Sequence, residues 1–392
     1  MNATAHSTQV LVKTGWPPQR AADVEHHIVY RNENEFAAWP YYCGLWKTAD
    51  GSLVAGFKRV PSNYEDVNHY NLVHAPGEIV VIRSTDNGRT WDQDSIVSVF
   101  DMSIKEEKDF PGGEAADWSN LPPLDFTSRD TLVMGGGIPT LMGGGDHRAA
   151  WIRASTDGGR TWRAHNVLPN WDFPGVSMPG TSMYSVRDDG VMLFGVQAWA
   201  PGAQSPLLVV YASPDGVQFL HLGEIVEETP KSAYWPGGRF ASAQHIYPRV
   251  VVLKDGRVLA SVRYERDPRG VFWVEIHESL DGGRTWHWLS RVNDWGAPGD
   301  LVPMSDGRLV CVYGYRLQPN PGIRYRVSED QGRTWGQEMI LRDDGGSWDL
   351  GYPRVIEIEP GLLLTHYWIN LKNDRIDVNG GVRHIACTIF TP

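Results

Sequence analysis

Apolar and polar residues alternate in short runs along the whole chain, a period-two pattern that predicts β-strands. V-V-I-R, A-A-W-I-R, V-F-W-V-E-I-H and I-R-Y-R-V, which lead up to Ser84, Ser155, Ser279 and Ser328, are such runs. So is E-H-H-I-V-Y-R from Glu25, and at the other end V-R-H-I-A-C-T-I-F from Val382. Three hairpins repeat a longer pattern: Y-P-R-V-V-V-L-K-D-G-R-V-L-A-S-V-R from Tyr247, D-L-V-P-M-S-D-G-R-L-V-C-V-Y-G-Y-R from Asp300 and Y-P-R-V-I-E-I-E-P-G-L-L-L-T-H-Y-W from Tyr352. Each turns at a glycine and brings its two outer ends back to one edge.

A second repeat follows the strands. The chain writes S-T-D-N-G-R-T-W from Ser84, S-T-D-G-G-R-T-W from Ser155, S-L-D-G-G-R-T-W from Ser279 and S-E-D-Q-G-R-T-W from Ser328, with a weaker S-P-D-G-V-Q-F from Ser213. The starts lie 71, 58, 66 and 49 residues apart, the loose period of a repeat architecture. In each copy the Asp side chain can accept backbone N–H groups ahead of it. The glycine-containing pair supplies positive φ, and the Trp closes the turn on apolar neighbours.

This motif resembles the Asp-box of the sialidase (neuraminidase) superfamily of β-propellers, and the resemblance runs over nearly the whole chain. It implies an all-β fold, a six-bladed β-propeller of four-stranded antiparallel blades. The N- and C-terminal strands would share the last blade and so remove a free sheet edge. We expect an irregular segment over 1–23 and one propeller domain over 24–392. Blades begin near Trp39, Thr131, Thr181, Ile246, Gly299 and Leu350. In the family the boxes lie far from the active site, so they speak to fold and not to chemistry.

Composition narrows the partners. Net charge is −11, with no basic run, which argues against nucleic acid and anionic membranes. The N-terminal stretch lacks a leader pattern and no apolar stretch would span a bilayer, so a cytoplasmic protein is expected, or a secreted one if a leader was removed. Cys43, Cys311 and Cys387 have no metal spacing and read as buried free thiols. No H-x-x-H or H-E-x-x-H motif argues for a metal, and no cofactor is expected. Trp39, Trp118, Trp171, Trp199, Trp235, Trp295, Trp348 and Trp368 sit in or beside Gly/Pro-rich connections, where they could stack on sugar faces or cap the rims.

Candidate chemistry lies at the hairpin ends. Tyr247, Arg249, Arg263, Arg316, Tyr352 and Arg354 would gather at one mouth of the channel, with Arg59 in the equivalent place of the first blade. Converging arginines in an acidic protein suit a carboxylate held by guanidinium forks, or else pair with rim carboxylates. The resemblance implies more. Arg263 and Arg316 fit the second and third members of the family's arginine triad, and Tyr352 falls where its nucleophilic tyrosine begins the last blade. Glu265 or Glu275 could be the tyrosine's partner, and Asp66 lies in the loop of the acid/base. The family's first arginine has no counterpart, since Ala38-Trp39-Pro40 stands in its place. Arg354, two residues after Tyr352, would favour phenolate attack or general-base chemistry. His69, His74, His147 and His245 are further candidates for proton abstraction. The preferred reading is hydrolysis of a terminal glycosidic bond in an acidic oligosaccharide or polysaccharide. A lyase acting on a uronic acid and a non-catalytic sugar-binding propeller are the alternatives.

Overall fold

The structure is a computed structural model that describes residues 17–64, 77–101, 118–138, 149–164, 166–167, 184–198, 206–226, 244–267, 271–376 and 381–392. Among the described residues its strands form six sheets, paired mainly between neighbours in chain order, although two of them also take up a strand from near the chain start. The fourth is the clearest: Gln244–Val252, Val258–Asp267, Val271–Ser279 and His287–Arg291 pair antiparallel in chain order. The fifth runs from Gly299–Pro303 through Leu309–Tyr315 and Gly322–Ser328 to Met339–Arg342. Gln19–Arg20, in the segment expected to be irregular, adds a short parallel strand to it. In the sixth, Glu25–Tyr30 pairs with His384–Phe390 beside Leu362–Ile369 and Gly351–Glu359.

The buried side chains explain how the sheets are held. One apolar cluster joins the first sheet to the second through Trp46, Val54, Leu132 and Met134. Further clusters join second to third, third to fourth, fourth to fifth and fifth to sixth. The last joins the sixth back to the first through Val29, Leu364, Phe36 and Phe57. Two-sided burial of this kind is what makes the inner strands nearly all apolar, and it defines an all-β propeller. No helix among the described residues is long and apolar enough to cross a membrane.

The boxes close one rim. In the box at Ser84, Asp86 accepts from the Thr90 N–H at 2.9 Å and the Thr90 hydroxyl at 2.7 Å. The Gly88 N–H meets Ser84 Oγ at 2.9 Å, and the Trp91 indole donates to the Gly88 carbonyl at 3.0 Å. The boxes at Ser155 and Ser279 repeat all of these bonds, while at Ser328 the indole of Trp335 turns to Ser290 Oγ instead. Asn87 and Gln331 carry positive φ beside their glycines, as the clasp requires. Each glycine also lies against the neighbouring sheet, Gly88 on Leu364 and Gly283 on Val210 for example, so a box staples sheet to sheet as well as strand to strand.

The three cysteines are buried free thiols, and burial pushes Cys43 and Cys387 up to about 12.

Candidate active site

The opposite rim is built on an unusual backbone feature. Trp39, Tyr247 and Tyr352 each precede a proline and each has positive φ, at 57°, 61° and 50°. That conformation is disfavoured twice over, by the side chain and by the following ring. In the fourth and sixth sheets it coincides with a break in register between Ile246 and Arg249 and between Gly351 and Arg354. The bulge turns the aromatic side chain aside from the ladder. Tyr247 and Tyr352, from two non-adjacent sheets, thereby meet: the Tyr352 hydroxyl donates to that of Tyr247 at 3.2 Å, with ring centroids 5.6 Å apart.

Two of the predicted arginines stand over this pair. Arg316 lies 5.0 Å from the Tyr352 ring and 5.9 Å from the rings of Trp348 and Phe272. It is 8% exposed, and its Nε and Nη2 meet no hydrogen-bond acceptor among the described residues. Arg263 lies 4.3 Å over Phe272 and 5.7 Å over Tyr247, and pairs with Glu265 at 3.0 Å.

The other arginines are committed elsewhere, which corrects the expectation of a larger clamp. Arg249, Asp300 and Arg354 each stand seven residues before the turn glycine of their hairpins, Gly256, Gly307 and Gly361. The buried Asp300 carboxylate therefore falls between the two guanidinium groups and takes one bond of 2.9 Å from each, plus the Val355 N–H at 2.8 Å. Arg354 is thus held by Asp300 rather than offered to Tyr352. Arg59 pairs with Glu78 at 2.6 Å and reaches the Tyr30 hydroxyl, a rim ion pair.

Other candidates also move. Glu265 accepts from Gln244 as well as Arg263, and Glu275 from Trp273, so the hydroxyl of Tyr352 pairs with a tyrosine where a glutamate was expected. His245 is buried against Glu275 at 3.2 Å instead of lining the mouth. Burial alone would raise Glu275, but the bonds from His245 and Trp273 and the nearby His277 ring hold it well below the usual carboxylate range. Asp66, His69, His74, His147, Trp171, Trp199 and Trp235 lie outside the described residues. Trp39, Trp118 and Trp368 are buried and build the core, Trp368 from within the strand Leu362–Ile369. Trp348 is the one of this group among the described residues that stands out to solvent, at 46% exposure.

Sequence reasoning missed Lys58. It lies 5.4 Å over the Trp39 ring and is 6% exposed, and burial lowers it to about 8, the nearby Cys43 opposing weakly. Its signal was an in-facing lysine in the apolar run L-V-A-G-F-K-R.

Clasped sheets on one rim and an aromatic mouth on the other define an Asp-box β-propeller. Residues 127–364, more than half of the chain, match the model described as the BNR repeat-like domain, and the chain belongs to that family. No curated protein matches it. Among solved structures it is similar to a Dyadobacter fermentans protein of unknown function, with TM-score 0.69 and 23% identity over 95% of this chain and 99% of that one. It is also similar to a Hadza microbial sialidase, at TM-score 0.60 and 18% identity over 91% and 66% of the two chains. The α-L-arabinofuranosidase of Fusarium graminearum in complex with arabinobiose gives TM-score 0.58 and 15% identity over 93% and 94%. At such identities the likeness concerns the fold.

Proposed function

We propose that the protein is a glycoside hydrolase of the sialidase superfamily, acting on the end of an acidic glycan at the mouth lined by Arg316, Arg263, Tyr247 and Tyr352. The observation that carries this reading is Arg316. A nearly buried guanidinium with two nitrogens lacking an acceptor among the described residues, clasped by aromatic rings, is costly unless an anion completes it. A sugar carboxylate supplies that anion, and Trp348 offers its ring to the sugar. The fold is shared with a sialidase and an arabinofuranosidase, which favours glycoside chemistry without fixing the sugar. In the same reading the six sheets are six blades of one closed propeller over 24–392, the last completed by both termini.

Tyr352 gives its phenolic proton to bulk water and attacks the anomeric carbon as the phenolate beside the Arg316 guanidinium, while Asp66 protonates the departing oxygen. Water then cleaves the glycosyl-tyrosine and returns a proton to Asp66. Incubation with sialosides, uronic-acid oligosaccharides and arabino-oligosaccharides, followed by mass spectrometry, tests this. Products together heavier than substrate by one water are expected, with Tyr352→Phe lowering kcat by about a hundredfold or more. Arg316→Met should weaken binding of acidic substrates by about 1.5–3 kcal/mol and leave neutral ones unchanged. Unchanged turnover in Tyr352→Phe would end the assignment.

One observation favours a second reading. Two tyrosines joined hydroxyl to hydroxyl beside an arginine also suit β-elimination from a uronate: Arg316 neutralises the carboxylate, Tyr352 as the phenolate takes the adjacent proton, and the Tyr247 hydroxyl gives its proton to the leaving oxygen. Products that sum to the substrate mass and absorb in the ultraviolet would establish that lyase. Binding without any product would leave a sugar-binding propeller.

A further inference from the structure

The fourth sheet carries a cluster that the mouth chemistry does not use. His245 on Gln244–Val252 and Glu275 and His277 on Val271–Ser279 bring one ligand-capable atom each to within 4.8 Å of one another. The Nε2 atoms of His245 and His277 lie 3.2 and 3.8 Å from the same carboxylate oxygen, Glu275 Oε2. Spacing by two puts Glu275 and His277 on one face of their strand. Opposite them in register are Val262 and Ala260, short enough to let His245 reach across the intervening strand. That face packs on the third sheet through Val258, Ala260, Leu193 and Val210, so the cluster sits at an interface between sheets.

Two features distinguish it from an ordinary histidine and glutamate contact. The Nε2 of His277 is buried with no hydrogen-bond partner among the described residues, although it lies 3.8 Å from the shared oxygen. The other carboxylate oxygen, Oε1, accepts the Trp273 indole N–H at 2.8 Å, which fixes the carboxylate with Oε2 toward both rings. An outer-shell donor of this kind is how metal-binding carboxylates are oriented. Neighbouring ligands of a tetrahedral ion, at metal distances near 2.0–2.1 Å, lie about 3.4 Å apart, close to the spacing found here.

We propose that His245 Nε2, His277 Nε2 and Glu275 Oε2 bind a divalent transition-metal ion of the zinc class, with a fourth position left to water. Two imidazoles and one carboxylate select such an ion over calcium or magnesium, which favour all-oxygen shells. The ion ties the first and third strands of this sheet together beside its contact with the third sheet, and its role is to hold that interface.

The test uses the full chain without an affinity tag, stripped with a chelator and desalted. Titration with Co²⁺ should give visible d–d bands saturating at one equivalent, Zn²⁺ should displace it, and zinc should raise Tm. His277→Gln should abolish the cobalt bands, whereas His27→Gln, in the separate His26/His27 pair near the chain start, should leave them unchanged. Cobalt binding undiminished in His277→Gln, or no saturable binding to the wild-type chain, would overturn the proposal. If His277→Gln does not fold, zinc-edge X-ray absorption on the wild-type complex decides instead. Two imidazoles and a carboxylate oxygen are expected, and a sulfur-containing or histidine-free shell would refute the site.

Discussion

The two rims of the propeller are made of the same strands and solve different problems. On the box rim, polar groups satisfy one another within eight residues of sequence, at the surface, four times with nearly the same bonds. On the mouth rim, polar groups are buried and no two sheets treat them alike: Arg249 and Arg354 share Asp300 across sheets, Arg263 takes Glu265 in its own strand, and Arg316 keeps two nitrogens without an acceptor among the described residues. Repetition therefore marks the rim that holds the fold, and departure from it marks the rim that can hold a ligand.

The largest effect should come from the centre of the mouth rim. Asp300→Asn leaves two guanidinium groups buried against a neutral amide, and breaking one partner of such a cluster costs about 3–5 kcal/mol. Urea unfolding should show that loss. Replacing Arg249 and Arg354 by Met in the same chain should recover most of it, because the three residues are then removed as a unit. If turnover per folded molecule survives in the triple variant, Asp300 and its arginines are scaffold. A lost activity would return Arg249 and Arg354 to the site.

These rims were not equally legible. The clasp is local: Ser, Asp, Gly, Thr and Trp act within one turn, so the sequence of Ser84 to Trp91 contains every partner. The hairpins from Tyr247, Asp300 and Tyr352 were legible for the same reason. The arginines were not, since Asp300 meets Arg249 and Arg354 at separations of 51 and 54 residues, and no pattern around any of them names its partner. Tryptophans in Gly/Pro-rich connections misled in a related way. Trp39 and Trp368 pack against each other at a tilt, ring centroids 5.6 Å apart. The positive φ before proline at Trp39, Tyr247 and Tyr352 left a sign in the repeated aromatic-proline pairs, though its consequence shows only once sheets converge.

A smaller effect is expected at Lys58, which is 6% exposed. Its folded value near 8 lies below the ordinary lysine value of about 10.4, so the folded state binds the proton less tightly than the unfolded chain. Below pH 8 the fold carries the full cost of a buried ammonium. Between about pH 8 and 10.4 the unfolded chain holds more protons, and stability rises with pH. Lys58→Met should be more stable than wild type at pH 7, by on the order of 2 kcal/mol, with the advantage shrinking as pH climbs through that window. Paired urea curves from pH 7 to 10.5 measure the difference, and a constant gap would mean that the ammonium is well solvated where it lies.

The box rim should give the smallest and most uniform effects. In the box at Ser155 the Asp157 carboxylate accepts from the Arg160 N–H at 3.0 Å, the Thr161 N–H at 2.9 Å and the Thr161 hydroxyl at 2.6 Å, and also holds Ser155 Oγ. Asp215, in the degenerate fifth copy, accepts from the Val217 and Gln218 N–H groups at 2.8 Å each and has no threonine to follow. With net contributions near 0.5–1.5 kcal/mol per bond, and solvent reaching the exposed amides once the carboxylate is gone, Asp157→Ala should cost about 2 kcal/mol and Asp215→Ala about 1. Neither should change kcat, since both lie on the rim away from Tyr352 and Arg316. Equal losses at the two sites would show that the threonine adds nothing and that the clasp works through the aspartate and glycine alone. A change in kcat at either would show that the two rims, separable in their bonding, are coupled in function.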